Sequence, residues 1–479
     1  MLEGVPHDLF IGGRWRAATD GATFPVTDPA TGEVIAVVAD ASPADGLAAL
    51  DAAADAAEAW ANTAPRARSV ILSRAFELLI ERRDWIARIM TLEMGKPLAE
   101  AQGEIGYGAE FLRWFAEEAV RITGAHGENP EGTGDIVVTR HPVGPSYLVT
   151  PWNFPLAMAT RKIAPALAAG CTAVVKPAGS TPLTTLAFVT LLVEAGLPAG
   201  VVNVITTSTS GAVSDAILAD PRLRKLSFTG STEVGRNLLR SAARGVLRTS
   251  MELGGNAPFL VFADADLDAA VTGAMSAKFR NIGQACTAAN RFIVHADIAD
   301  EFVARLRARI DELVVGPGIE PTTTIGPLID DRAVERITRL IGEAVTEGAT
   351  VVTGGAPVDG VGSYLQPTLL DRVAPTSRIS VEEIFGPVVA VTRFTRDDEA
   401  IALANASEYG LAAYAFTTDL ARANLLMRRL ETGMLGLNTG LISNAAAPFG
   451  GVKQSGLGRE GGAEGISEYL TTRYTLIPR

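Results

Sequence analysis

Cysteine is nearly missing from this chain. Only Cys171 and Cys286 occur, too few for a disulfide framework or a cysteine zinc site. Histidine is scarce as well: His7, His126, His141 and His295 are scattered, so no histidine metal site is expected. Positive charge is in deficit. Lys and Arg number 42 against 54 Asp and Glu, and the net charge of −12 argues against a nucleic-acid partner, which calls for a basic face. Long apolar runs are lacking too. The richest, Leu186 to Val193, falls far short of the roughly 20 residues that span a bilayer, so no membrane partner is expected. Met1 to Phe10 carries acids and a proline and no basic start, so a secretory signal is not expected. With so little cysteine, a reduced, cytoplasmic setting is the expectation.

What is present is ample core material. Hydrophobic residues make up 47% and charged residues 20%, which excludes a disordered chain. A length of 479 residues fits two to four domains or one large enzyme. The 48 glycines point to many tight turns or close backbone approaches.

Phe10 to Val38 reads as short strands with turns at Gly12-Gly13 and Asp28 to Gly32. Helices follow. Ala44 to Trp60 begins after Ser42-Pro43, an N-cap followed by proline. Arg66 to Glu93 carries one apolar face and stops at Gly95. Pro97 to Ile122 reads as a third long helix, and Gly124 to Gly134 as a polar joint leading to strand Ile136 to Thr139.

From Ser146 short apolar strands alternate with helices. The strands are Tyr147 to Val149, Ala173 to Val175, Val201 to Ile205 and Leu226 to Phe228. That rhythm predicts an α/β fold with a parallel, doubly wound sheet. It restarts at Ala257 to Val261 and Phe292 to Val294, with helices Asp300 to Leu313 and Asp330 to Glu347, as a second α/β unit. The tail, Gly462 to Arg479, alternates weakly and reads as an exposed strand, open to pairing with another chain.

Four local strings could carry chemistry. Cys286 follows Gly283-Gln284-Ala285, where small residues would let a carbonyl approach a thiol. Taken alone, such a cysteine is more often a core residue. Cys171 opens the apolar run through Val175 and is read as structural. Glu252, between Met251 and Leu253, would have a raised pKa if buried, as a general base needs; an exposed strand-end Glu is the bland alternative. Pro151-Trp152-Asn153-Phe154-Pro155 follows a strand where open parallel sheets bind ligands, and the Asn153 amide could donate to an oxyanion; otherwise it is a Pro-flanked turn. Phe228-Thr229-Gly230-Ser231 links a strand to a helix start that could receive a phosphate. The literal GxGxxG at Gly456, Gly458 and Gly461 lacks a strand–turn–helix context and reads as coincidence. No GxSxG elbow and no GxxxxGK[ST] loop occurs, which disfavours an α/β-hydrolase or a P-loop NTPase.

In order along nearly the whole chain stand Pro151 to Pro155, Lys176-Pro177-Ala178, Phe228 to Ser231, Glu252-Leu253-Gly254-Gly255, Gly283 to Cys286, Glu383-Ile384-Phe385-Gly386-Pro387 and Pro448-Phe449-Gly450-Gly451. This series resembles the aldehyde dehydrogenase superfamily. The resemblance implies a Rossmann-type cofactor domain, an α/β catalytic domain and a β oligomerisation arm. It assigns residues 1–123 with 140–253 to the cofactor domain, 254–438 to the catalytic domain, 124–139 with 462–479 to the arm, and 439–461 to a return segment lining the substrate site.

The same resemblance implies roles. Cys286 is the nucleophile, Asn153 and the Cys286 backbone N–H hold the oxyanion, and Glu252 activates the hydrolytic water. Lys176 holds the adenosine ribose and Glu383 the nicotinamide ribose. Gly230 and Ser231 lie against the phosphates, Trp152 lines the cleft, and Thr150, Pro151, Ala178, Gly179, Leu253 and Phe385 complete the cofactor set. Arg161, Arg280 and Ser443 match the set that succinate-semialdehyde dehydrogenases use for the distal carboxylate. Two guanidinium groups and a hydroxyl would select an acid tail. Surface salt bridges are the bland alternative for these arginines. Glutarate semialdehyde differs by one methylene, worth only about 1–3 kcal/mol of discrimination.

Three local departures qualify the resemblance. Ala288 stands where some relatives carry a second cysteine, so no local disulfide switch is expected. Thr206 to Ser210 replaces a glycine often found in the adenine-side loop. Gly179 and Ser180 stand where a Glu in relatives favours NAD, so NADP is expected, with NAD as the alternative. The whole reading is an NAD(P)-dependent semialdehyde oxidation by a homodimer or homotetramer. A CoA-acylating enzyme, a dehydrogenase for uncharged or cationic aldehydes, and a non-catalytic structural protein are the rivals.

Overall fold

Short apolar strings flanked by helical stretches become the buried strands of two sheets. The structure, a computed structural model, describes residues 2–479. The larger sheet runs, in spatial order, Arg14–Arg16, Leu9–Ile11, Val202–Val204, Ala173–Lys176, Ser146–Val149, Lys225–Thr229, Arg248–Glu252 and Gly456–Leu457. Its central five strands are parallel, and both edges are antiparallel. Strands Ser146–Val149, Ala173–Lys176 and Lys225–Thr229 are buried along their length, as parallel strands covered by helices on both faces should be. Strand order reverses on the two sides of Ser146–Val149. The turn after it therefore opens at a topological switch point, where such sheets bind ligands.

The second sheet runs Thr350–Thr353, Thr368–Asp371, Val388–Phe394, Ala289–His295, Ala257–Val261, Ala412–Phe416 and Met434–Leu437, all parallel except the first pair. Its core packs Phe259, Phe292 and Phe416, with ring centroids 4.8–4.9 Å from Phe259. A third sheet of Leu470–Pro478, Gly134–Pro142 and Ala125–Glu128 stands apart.

Local chemistry explains the helix ends. Ser42 caps Pro43–Ala61, and Asp45 reaches back to the Ser42 N–H at 3.0 Å, a capping box. Three expectations need correction. The helix read as Arg66 to Glu93 is two, Pro65–Glu81 and Arg83–Met94, broken at Arg82. The run Glu81-Arg82-Arg83-Asp84 has no apolar residue to seat against the core, so nothing keeps the axis straight there. The joint at 124–134 contains strand Ala125–Glu128, recruited by pairing with Gly134–Pro142. The tail begins with helix Gly462–Ser467, and its strand is Leu470–Pro478, in a nine-residue antiparallel register with Gly134–Pro142. Among the described residues no helix is long and apolar enough to cross a membrane.

Candidate active site

Helix Leu267–Phe279 ends at Arg280, and the chain then doubles back. Asn281, Ile282 and Gly283 have φ of 55°, 60° and 70°, three left-handed residues in a row. Such non-glycine conformations cost of order 1–3 kcal/mol each and persist only where surroundings enforce them. Here they are enforced. The Asn281 amide donates to the Asn153 and Gln284 carbonyls at 3.0 and 2.8 Å, and its backbone N–H donates to Glu100 at 2.7 Å. A methyl on Gly283 would lie 2.2 Å from the Gly386 carbonyl oxygen, so this position requires glycine. The reversal delivers Cys286, half-buried, to the cleft between the two large sheets. Burial pushes its thiol up to about 12, against the pull of Arg161 and Arg280 and with the push of Glu383 and Glu252. At neutral pH it is a thiol awaiting a base.

Glu252 is the last residue of its strand and is 2% exposed, so the exposed-Glu alternative fails. Neither carboxyl oxygen has a hydrogen-bond partner among the described residues. Burial first, then neighbouring Glu460, hold this carboxyl well above the usual carboxylate range, while Lys162, Arg161 and Arg459 oppose them. The glycine run beyond 450 has a purpose here that its motif did not suggest. Gly456 pairs with Glu252 across the strand edge, and a methyl on Gly450 would sit 3.0 Å from the Glu252 carboxyl. Asn153 follows strand Ser146–Val149. Its amide donates to the Gln284 carbonyl at 2.9 Å, leaving the second N–H of that amide free.

A cavity of about 360 Å³ joins Cys286 and Asn153, with Leu253 and Gly254, the residues that follow Glu252, in its wall. Pro151, Trp152, Asn153, Gly230, Ser231, Leu253, Cys286, Glu383 and Phe385 of the expected set line it. Met158, Thr229, Gly254 and Arg336 line it as well and were not anticipated. A methyl on Gly230 would strike the Phe228 ring at 2.5 Å, so the wall is bare backbone there. Ser231 caps helix Thr232–Ala243, whose N–H groups face this end of the cleft. Glu383 accepts from the Gly255 N–H at 3.1 Å, and burial pushes its carboxyl up to about 7.

The other expected cofactor residues lie outside that cavity's lining. Thr150 is buried at the strand end, with its N–H on the Lys176 carbonyl. Lys176 Nζ donates to Ser210 Oγ at 3.1 Å, and burial lowers its pKa to about 8. Gly179, next to Ala178, has only the Thr207 carbonyl at 3.4 Å and Phe24 at 3.7 Å near where a methyl would sit, so a side chain fits.

Cys286, Arg161, Arg280 and Ser443 line one small cavity together with Tyr107 and Phe449. Arg161 is 1% exposed, stacks 4.0 Å from the Phe449 ring centroid and donates to the Tyr107 hydroxyl. Its Nε and Nη1 have no hydrogen-bond partner among the described residues; Glu460 lies 3.6 Å from Nη1. Arg280 sits over Phe154, with its guanidinium 5.2 Å from the ring centroid. These arginines are therefore not surface salt bridges. Glu460, held by Lys162 Nζ, and Tyr107 were missed because each reaches the site from a distant segment with no local string to mark it.

The model of the aldehyde dehydrogenase family matches residues 15–475. The chain is 58% identical over 444 residues to a succinate-semialdehyde dehydrogenase of Paenarthrobacter nicotinovorans, covering 93% of this chain and 99% of that one. It is 48% identical to the NADP(+) succinate-semialdehyde dehydrogenase of Escherichia coli, with 98% of each chain covered. The crystal structure of a succinate-semialdehyde dehydrogenase from Burkholderia pseudomallei superposes with a TM-score of 0.98 at 47% identity, covering 99% of this chain and 98% of the other. A left-handed cysteine loop, a buried unpartnered carboxyl and a matching fold from end to end converge on one conclusion: the chain belongs to the aldehyde dehydrogenase family.

Proposed function

We propose that this enzyme oxidises succinate semialdehyde to succinate, with NADP preferred and NAD as the alternative. One observation carries the substrate: two buried or half-buried arginines and Ser443 share a small cavity with the Cys286 thiol. A carboxylate in that cavity would meet the unpartnered Arg161 donors and Arg280, with its aldehyde directed at the sulfur.

Glu252 takes the thiol proton, through water where needed, and the thiolate adds to the aldehyde carbon. The carbonyl electron pair moves to oxygen, which the free N–H of Asn153 and the Cys286 N–H receive. The bare wall at Gly230, the helix start at Ser231 and the Glu383 carboxyl suit a dinucleotide extended along the cleft. Lys176, Ala178 and Gly179 would hold its adenosine end, and Thr150, Pro151, Trp152, Leu253 and Phe385 its walls. A bound dinucleotide supplies acceptance of the hydride that turns the cysteine adduct into a thioester. Glu252 gives the thiol proton up to solvent, then removes a proton from water as the water attacks the thioester carbon, and Cys286 departs as thiolate. That base separates this reading from transfer to CoA. With no carboxylate at Gly179 to repel a 2′-phosphate, and with Lys176 beside it, NADP is favoured.

Residues 1–123 with 140–253 act as the cofactor domain and 254–438 as the catalytic domain in this reading. Residues 124–139 with 462–479 act as the arm of a homodimer or homotetramer, and 439–461 carries Ser443 to the substrate. A free catalytic thiol accords with a reducing, cytoplasmic setting. Glutarate semialdehyde is the second reading, supported by 48% identity to the glutarate-semialdehyde dehydrogenase of Pseudomonas putida.

The test is the initial rate of dinucleotide reduction with succinate semialdehyde, glutarate semialdehyde and butanal, each with NADP and NAD. A large kcat/KM advantage for the C4 acid over butanal, lost in Arg280→Ala, is expected. Equal rates for acid and neutral aldehydes would remove the semialdehyde assignment. A higher kcat/KM with NAD would reverse the cofactor preference.

A further inference from the structure

Beneath the Pro151–Pro155 turn lies a buried ionic cluster that no step above uses. Helix Arg83–Met94 stops at Gly95, whose φ of 91° turns the chain inward, and the next side chain, Lys96, is 1% exposed. The backbone there is clamped. A methyl on Gly95 would lie 2.6 Å from Pro327, and a methyl on Gly318 would lie 2.4 Å from the Lys96 carbonyl oxygen. The ammonium pairs with buried Glu104, has Glu100 as a second carboxyl nearby, and donates to the Asn153 carbonyl at 2.8 Å. Glu104 also accepts from the Leu156 and Ala157 N–H groups at 3.0 and 3.1 Å, at the start of the helix that carries Arg161.

A buried ion pair is weak evidence for stability, because desolvation offsets most of its attraction. Its direction is more informative. The turn has no ladder to hold it, and the Asn153 carbonyl is gripped from two sides, by Lys96 and by the Asn281 amide. Without Lys96 the Asn153 peptide could rotate, carrying its side-chain amide off the line to Cys286. A displacement of about 1 Å in such a donor is enough to lose much of its catalytic effect.

We propose that Lys96, with Glu104 as counter-ion, is a positioning residue for the oxyanion donor: it fixes the Asn153 peptide so that the free N–H of the side-chain amide faces the aldehyde oxygen as Cys286 adds. The inference rests on the role given to Asn153 above.

The test is Lys96→Met/Glu104→Gln in the full enzyme. This pair keeps volume, keeps an acceptor for Leu156 and Ala157, and leaves Glu100 with the Asn281 N–H and Arg280 as partners. The single-turnover rate of NADP reduction should fall about tenfold or more, in the range of a lost oxyanion donor. Alkylation of Cys286 by iodoacetamide, which builds no oxyanion, should keep its wild-type rate. In an Asn153→Ala background the same pair should change the single-turnover rate by less than about twofold, because the group it positions is gone. Asn281→Asp, which tolerates a left-handed backbone but loses both donations, should show the same dependence on Asn153 and serves if the first variant does not fold. Equal losses in both backgrounds, or a wild-type rate for the pair, would overturn the positioning role alone. A wild-type rate for Asn153→Ala would instead remove the oxyanion role on which it stands.

Discussion

A thiol whose pKa burial pushes up to about 12 is nearly all protonated at neutral pH, so chemistry at Cys286 depends on a neighbouring base. Glu252 is that base in the proposed mechanism, and its own carboxyl is held well above the usual range by burial and by Glu460. The sign follows. The form of Glu252 that the proposed mechanism uses is the carboxylate, which fills as pH rises through the raised pKa. Activity should therefore climb with pH through a limb well above 4.5, the ordinary glutamate value, and not sit on a plateau from pH 5. Glu252→Gln should lower kcat by about 10²–10⁴-fold and abolish that limb. A pH–rate profile of both enzymes checks it; an unchanged limb in the variant would assign the titration elsewhere. At this scale the sequence was informative wherever chemistry sits in one short string. Cys286, Glu252 and Asn153 each stand in such a string; Cys286 and Asn153 line one cleft, and Leu253 and Gly254, next to Glu252, stand in its wall. Lys162, Glu460 and Tyr107 do not, and no spacing announced them.

Single elements hold those side chains in place. Strand Arg248–Glu252 is bracketed by parallel Lys225–Thr229 and by antiparallel Gly456–Leu457. Gly456 has a φ of 136°, and a methyl there would sit 1.9 Å from the Met251 carbonyl oxygen. Gly456→Ala should cost roughly 1–3 kcal/mol from backbone strain, with a further loss as the strand edge shifts Glu252. Thermal unfolding and kcat should fall together. An unchanged Tm with lowered kcat would place the effect at the base and not in the strand. Element type was legible where apolar residues run in short buried strings, because a strand covered on both faces has no polar side to present. Element ends were less legible. The break at Arg82 and the recruitment of Ala125–Glu128 into a sheet both depend on what lies against them.

The whole molecule leaves one conspicuous apolar face open. Along Leu470–Pro478 every residue after Leu470 is exposed, including Tyr474, Leu476 and Ile477 at 61%, 47% and 50%. A strand so exposed, at the edge of a three-stranded sheet, is the surface expected to be covered in a homo-oligomer. On the proposed arm reading, full-length protein should sediment as an oligomer in analytical ultracentrifugation, and deleting residues 470–479 should yield monomers and lower Tm. A wild-type enzyme that sediments as a monomer would remove the arm's role.

The amino-acid sequence by itself determined the α/β rhythm, the capped helix starts and the three strings that carry Cys286, Glu252 and Asn153, because each depends on neighbours within a few residues. It also set the absence of a carboxylate at Gly179. Only the tertiary structure decided that Arg161, Arg280 and Ser443 line one cavity with the thiol, that Glu460 presses on Glu252, and that Lys96 reaches the Asn153 carbonyl. Contacts of this kind join distant segments, as the 298 residues between Lys162 and Glu460 illustrate. Their geometry comes from how two sheets and their helices pack, which no local spacing encodes.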